Sequence, residues 1–365
     1  MSSANTDDPA SESEKRFSVD YVTQFGASIL AAAGATEDEA RIVMAELVAA
    51  DLAGHPSHGV MRLLQYVGHM GMGDIRPGIS LKVVRESPVV SVYDGHFGFG
   101  QCIMRELLAV ASTRAREQGT YTAFCRNCGH IGRLGSYTRD AARDGLLAMM
   151  MVNVSGACRV APFGSIDARL GTNPISIAAP RGDDVICVDT TTCSTAEGKV
   201  RIAHQNGEPV PEGMIIDNQG RPTTDPNNFY TDPPGAILPL GGPIGFKGSG
   251  LAVMIDVVAG ILSGTGFGQF DVAVGTNGVW LYLVDLDRVV DRDHYESEVE
   301  RYVAYLKDVR VVPGVEEVLM PGEPERLHAA HAEGVRIPCG TWAQLLQLAK
   351  EVEVSVKERK PSHGH

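Results

Sequence analysis

Apolar and polar positions alternate along this chain in three regimes. Behind a polar leader rich in Ser and acids, Met1 to Lys15, which reads as a mobile arm, a first helix is expected from near Ser18. Thr36-Glu37-Asp38-Glu39 has the spacing of a capping box, and Ala40, Val43, Met44, Leu47 and Val48 follow at helical intervals. The first seventy residues are therefore largely helical. Gly71, Gly73, Pro77 and Gly78 end that regime, and Leu81 to Val84 and Val89 to Val92 read as strands. A domain boundary near Asp74 follows.

Strand-like runs and helices then alternate through Gln101 to Gln118, Tyr121 to Cys125, Leu134 to Asp144 and Leu146 to Val154, which predicts a mixed α and β domain. The stretch Ala203 to Pro239, rich in Pro, Gly, Asn and Asp, reads as an ordered meander around a site. A helix is expected from Gly245-Phe246-Lys247-Gly248 to about Ser263, then a charged helix Tyr295 to Lys307 and an apolar one Thr341 to Val352. No internal repeat or low-complexity tract is visible.

Composition narrows the class. With 365 residues, 44% apolar and 21% charged, the chain suffices for two or more packed units. A net charge of −13 without a basic patch argues against a nucleic-acid partner, so an anionic substrate requires local cations such as Arg62 or Lys247. The most apolar stretch, Leu251 to Phe267, is interrupted by Asp256 and several glycines and reads as a buried helix, not a membrane span. The acidic leader is a poor secretory signal, and the chain is expected to be cytoplasmic. Seven dispersed cysteines fit a reducing compartment; Cys125-Arg126-Asn127-Cys128, with His130 nearby, has no second pair, so ordinary thiols and no metal are expected.

Candidate chemistry centres on Gly54-His55-Pro56-Ser57-His58-Gly59-Val60-Met61-Arg62, which sets His58 four residues before Arg62 on an expected helix, where the two share a face. Val60, Leu63, Leu64 and Val67 make its apolar side and leave His58, Arg62 and Tyr66 on the other. An imidazole that titrates near neutrality beside a carboxylate-gripping guanidinium suits a small acid that must be protonated; a surface pair is the plainer reading of the same spacing. The dinucleotide fingerprint G-x-G-x-x-G is absent: Gly95 to Gly100 inverts its spacing, and Gly241 to Ser249 fails that of a phosphate loop. That second segment nonetheless carries Lys247 into a helix start, which suits a pyrophosphate, although a tight turn explains its glycines equally. Gly171-Thr172-Asn173-Pro174 reads as a turn, and Val188 to Ser194 gathers hydroxyls and a carboxylate at a strand end.

Taken with Asn127-Cys128-Gly129-His130-Ile131-Gly132, Gly198-Lys199, Lys247-Gly248 and Pro321-Gly322-Glu323, these segments resemble, over nearly the whole chain, the type II malate/L-lactate dehydrogenase family, NAD(P)-dependent oxidoreductases of non-Rossmann fold. His130 to Gly135 and Val210 to Gly213 look most like its hydroxycarboxylate dehydrogenase B branch. The resemblance implies an α+β architecture: a helical domain from both chain ends (16–74 and 285–365), a central mixed-sheet dinucleotide-binding domain (75–284), and a homodimer with the active-site cleft between domains. It implies His58 as general acid and base, with His130 as a competing candidate, Arg62 as carboxylate clamp beside Ser57, Thr172 and Asn173, and Asp189 orienting an imidazole or lining the cofactor cleft. NAD or NADP is expected on Asp189, Thr190, Thr191, Thr192, Cys193, Ser194, Phe246, Lys247, Gly322 and Glu323, with Ser155 near the nicotinamide. Pro56 stands where the family commonly has an acid, and Cys193 where it often has Ser. The expected reaction interconverts a small 2-hydroxy acid, malate- or lactate-like, and its 2-oxo acid. Reduction of a cyclic imino acid carboxylate, such as a piperideine or pyrroline carboxylate, is the enzymatic alternative, and a dinucleotide binder without turnover the other.

Overall fold

The structure, a computed structural model, describes residues 14–156, 158–269 and 275–355. Among the described residues two compact units emerge, one from those within 14–73 and 327–355 and one from those within 74–326.

The first unit opens with strand β1 (Glu14–Phe17), followed by helices α1 (Val19–Ala32), α2 (Glu37–Leu52) and α3 (Arg62–Met72). Ser18 caps α1 by accepting the Tyr21 N–H, and the expected capping box starts α2, with Glu39 N–H on Thr36 Oγ1 at 3.2 Å and Thr36 N–H on Glu39 Oε2 at 2.9 Å. Gly26 lets α1 and α2 approach, since a Cβ there would lie 2.4 Å from the Met44 sulfur. Of the arm expected at 1–15, residues 1–13 lie outside the described residues, whereas Glu14 and Lys15 are ordered in β1.

In the second unit, β2 (Lys82–Glu86), β3 (Val90–Asp94), α4 (Gly100–Gln118), β4 (Thr120–Cys128), α5 (Leu134–Arg143), β5 (Leu146–Val154), β6 (Ile175–Arg181) and β7 (Asp184–Thr190) follow in order. After α6 (Glu197–Asn206), the meander forms a small sheet of β8 (Ile215–Ile216), β9 (Pro222–Thr223) and β10 (Ala236–Ile237). Then come α7 (Phe246–Ile255), β11 (Asn277–Asp285), α8 (Arg292–Lys307) and the start of α9 (Glu323–His331), whose residues from Leu327 on belong to the first unit. The large sheet has the order β2-β3-β4-β11-β5-β6-β7, and only β3 and β4, joined through α4, run parallel. Helices α4 and α5 pack on the sheet around Ile103, Leu107, Tyr121, Tyr137, Met150 and Leu281. A second core holds Val160, Cys193, Val200, Ile215, Phe229 and Ala252.

Two expectations are corrected here. The helix expected to about Ser263 is α-helical only to Ile255 and widens into a π-helical segment, Asp256–Ile261. There Asp256 is drawn in by Asn153 Nδ2, 3.1 Å from its Oδ1, and Gly260 passes where a Cβ would meet Gly266 O at 2.2 Å. Residues 285–326, expected with the helical ends, belong to the sheet's unit: Tyr295 donates to Pro180 O at 2.9 Å, Arg181 Nε binds Glu300 at 2.8 Å, and Cys187 N–H bonds Pro321 O at 2.9 Å.

The chain continues in the first unit with β12 (Val335–Pro338), antiparallel to β1, and α10 (Cys339–Glu351). Trp342 of α10 packs against Phe17 and Phe25 at centroid distances of 4.1 and 5.1 Å.

Candidate active site

The sequence reading put His58 and Arg62 on one helix; the structure corrects this. His58 closes a 3₁₀ turn, Pro56–His58, Gly59 is extended at φ −88° and ψ −158°, and Arg62 begins α3. The proline sets the turn and the extended Gly59 ends it, at a position only glycine fits: a Cβ there would lie 1.9 Å from Asp51 Oδ1. What joins the two residues is the turn itself. Arg62 Nε donates to Ser57 O at 2.6 Å and its Nη1 to Gln65 Oε1 at 2.6 Å, which fixes the guanidinium plane, while Ser57 Oγ lies 3.1 Å from His58 Nδ1. Ser57 is buried and His58 and Arg62 are partly exposed; Tyr66, expected beside them, is only 1% exposed and belongs to the core.

Asp51 supports this turn and was missed in the sequence. Its Oδ2 accepts the Val60 N–H at 2.8 Å, and its carboxyl end is turned in against Gly59 although the residue as a whole keeps some exposure. Burial pushes its pKa up to about 7, against the partial opposition of the Val60 bond. A signal was present: an acid in the last turn of a helix opposes the macrodipole and calls for a local reason. A carboxyl whose folded pKa exceeds its unfolded value, about 4, binds more protons in the native state. Its contribution is thus whole at low pH and lost as pH rises through about 7. Asp51→Asn is therefore expected to flatten the fall in stability over this window, gaining on the natural protein by an amount on the order of 1–3 kcal/mol between pH 5 and pH 8. Melting curves at both values check it; an unchanged difference contradicts it.

His130 sits in the second unit, partly exposed, on the turn between β4 and α5. That turn is pinned by Ile131 N–H on Asn277 Oδ1 at 3.0 Å and by Tyr137 OH on Ile131 O at 2.6 Å. Gly100 of α4 presses on it so closely that a Cβ would meet His130 O at 2.4 Å. Asp189, at the end of β7, accepts the Gly135 N–H at 2.7 Å and so occupies the first turn of α5.

The Asp189 to Ser194 run proves largely inward-facing. Thr192 Oγ1 donates among Thr172 O and Asn173 O at 3.2 and 3.1 Å, Cys193 is 3% exposed within the second core, and Ser194 Oγ bonds Met214 O and Leu238 O at 2.9 Å. Thr190 is exposed and Thr191 half-buried. These internal bonds tie the strand end to the Gly171–Pro174 turn. Leu240 N–H on Thr192 O at 3.0 Å then ties it to the glycine-rich start of α7, where Phe246 and Lys247 are exposed. Asn173 is fully buried at φ 35°, with its Nδ2 on Ala252 O at 2.9 Å. Ser155 is buried and linked to Thr276, and Glu323 is a buried ion-pair node, its Oε2 2.7 Å from Lys307 Nζ and its Oε1 3.3 Å from Arg181. Burial raises the Glu323 pKa, but the Lys307 bond and the Met320 N–H outweigh it and hold the group below the usual range. Gly322, at φ +94°, lies against Cys187 of β7, where a Cβ would come within 3.3 Å.

Among the described residues, no helix is long and apolar enough to cross a membrane, and no group of three or more His, Cys, Asp or Glu is arranged to hold a metal. Cys125 and Cys128 are buried free thiols.

The second unit thus holds a mixed, mostly antiparallel sheet and a glycine-led helix start, and the first unit a turn that carries an imidazole and a guanidinium. The chain belongs to the malate/L-lactate dehydrogenase family, whose sequence profile matches residues 17–346. It is thus an enzyme of a family of NAD(P)-dependent 2-hydroxyacid dehydrogenases. The L-lactate dehydrogenase of Cupriavidus necator is 36% identical over 348 residues, spanning 93% of this chain and 99% of that protein. The structure of malate dehydrogenase from Pyrococcus horikoshii OT3 superposes with a TM-score of 0.85 at 29% identity, over 94% of this chain and 97% of that one. The Δ1-piperideine-2-carboxylate reductase of Pseudomonas syringae pv. tomato gives a TM-score of 0.79 at 27% identity, over 92% and 100%.

Proposed function

We propose that this enzyme interconverts a small 2-hydroxy acid and its 2-oxo acid, with His58 as the general acid and base and Arg62 as the carboxylate clamp. The observation that carries the reading is the Ser57–Arg62 turn, which fixes a guanidinium through Ser57 O and Gln65 and an imidazole through Ser57 Oγ. With the Ser57 oxygen accepting from Nδ1–H, the lone pair of a neutral His58 is on Nε2, the nitrogen then turned to the carbonyl oxygen of the substrate. In reduction the imidazolium gives its Nε2 proton to that oxygen and becomes neutral, and in oxidation the neutral ring takes the hydroxyl proton back on Nε2. Arg62 grips the carboxylate with its planar fork and so fixes which carbonyl meets the acid.

A nicotinamide dinucleotide, when bound, supplies or accepts the hydride. The residues of the second unit fit such a group: α7 begins after a glycine-rich turn with Lys247 exposed on its first turn, where close backbone approach and positive charge suit a pyrophosphate. Thr190, Asp189 and Gly322 would hold its sugar end, while Thr192, Cys193 and Ser194 shape that surface through their internal bonds.

A cyclic imino acid carboxylate is the second reading, favoured by the likeness to the piperideine carboxylate reductase. It uses the same clamp, with the acid delivering its proton to nitrogen. Incubation with NADH or NADPH and a panel of 2-oxo acids and cyclic imines is expected to show substrate-dependent loss of cofactor absorbance with 2-oxo acids foremost. Turnover of cyclic imines alone would favour the second reading, and no turnover of any member would contradict both.

A further inference from the structure

Arg139 lies on α5 at a position the proposed chemistry does not use. Along this helix Gly135 meets Asp189, Thr138 Oγ1 reaches Cys187 Sγ at 3.8 Å, and Ala142 packs with Val185 and Cys187. Arg139 is therefore on the side of α5 that runs along β7, the edge strand of the large sheet. The residue is only 8% exposed, yet among the described residues it makes no hydrogen bond or ion pair. The neighbouring acids are engaged elsewhere: Asp184 with Arg326 Nε at 3.0 Å, and Asp189 with the Gly135 N–H.

A guanidinium stripped of most of its water and lacking a counter-ion is costly, and burial accordingly lowers the Arg139 pKa, with Arg143 adding to the effect. Nearby charge acts both ways: Arg143 and Arg133 lower the pKa and Asp184 raises it. Arg133, just before α5, has its Nε sealed from solvent without a partner, whereas none of the Arg139 nitrogens is sealed in this way. Against the same strand lies Gly322, whose lack of a Cβ keeps the chain close to Cys187.

We infer that Arg139 receives the ribose 2′-phosphate of NADP(H) and sets a preference for it over NAD(H). The inference rests on the cofactor reading above and deepens it. Two separate places in this unit suit anions: the start of α7 with Lys247, and the α5–β7 edge with Arg139. NAD carries only the pyrophosphate, which the first place accounts for; NADP carries a second, distant phosphate monoester, a dianion matched by the planar fork of an arginine.

The test is direct binding of NADPH and NADH, followed by nucleotide fluorescence, to the full-length protein and to Arg139→Met and Arg139→Lys. The natural protein is expected to bind NADPH more tightly. Arg139→Met is expected to weaken NADPH by about 10–100-fold while leaving NADH within about twofold, and Arg139→Lys to recover part of the loss. Should Arg139→Met fail to fold, the natural protein still decides: adenosine 2′,5′-bisphosphate must bind more tightly than 5′-AMP. Equal weakening of both cofactors, which would place Arg139 on the pyrophosphate or in the scaffold, overturns the inference. So does NADH binding as well as NADPH to the natural protein, a result that leaves the dehydrogenase reading standing. Binding of neither cofactor overturns both.

Discussion

Replacing His58 with glutamine is expected to lower turnover by about 10²–10⁴-fold, the usual contribution of a positioned general acid. Glutamine keeps the size and one hydrogen-bonding end, so the Pro56–His58 turn, held by His58 N–H on His55 O at 2.9 Å and Gly59 N–H on Pro56 O at 3.0 Å, should survive. The loss should therefore fall on kcat, with cofactor binding and melting temperature close to those of the natural protein. His130→Gln is the control that decides between the two imidazoles. Its turn is anchored through main-chain groups of Ile131 and not through the ring, so it too should fold. The account expects a smaller loss there; the reverse order would move the proton transfer to His130.

The second large effect is expected at Arg62. Arg62→Ala removes a charge-assisted, two-pronged contact to the carboxylate, and KM for a 2-oxo acid should rise by about 10²-fold, equivalent to roughly 3 kcal/mol. Arg62→Lys restores the charge but neither the planar fork nor the Nε bond to Ser57 O, so partial recovery is expected. The effect should fall mainly on KM, unlike that of His58→Gln, because a clamp holds substrate and transition state alike. Steady-state kinetics of the two variants side by side separate the roles.

Much of this was legible in the order of residues. The capping box at Thr36 and Glu39, the breaks at Gly71 to Gly78 and the helix over Gln101 to Gln118 are local signals, and the local structure follows them. What was not legible depends on contacts distant in sequence. Helical spacing joined His58 to Arg62, but Gly59, lying against Asp51 where no side chain fits, is an extended link between the 3₁₀ turn and α3. The hydroxyls of Thr192 and Ser194 looked available because their acceptors, Thr172 O, Asn173 O, Met214 O and Leu238 O, lie about twenty or more residues away. The π-helical widening at Asp256 depends on Asn153, and the place of residues 285–326 on Pro180, Arg181 and Cys187, none of which periodicity reveals. The segment resemblance to a known family supplied roles that spacing could not, and those of His58 and Arg62 stand as the proposal that the variants above test.

The central claim is that the Ser57–Arg62 turn selects a carboxylate next to the carbonyl it protonates. Its most direct test compares, with the natural protein, cofactor oxidation by a turned-over 2-oxo acid and by the amide of the same acid, which keeps the carbonyl and shape but loses the charge. The account predicts a fall in kcat/KM of about 10²-fold or more for the amide. Equal rates for acid and amide would contradict it.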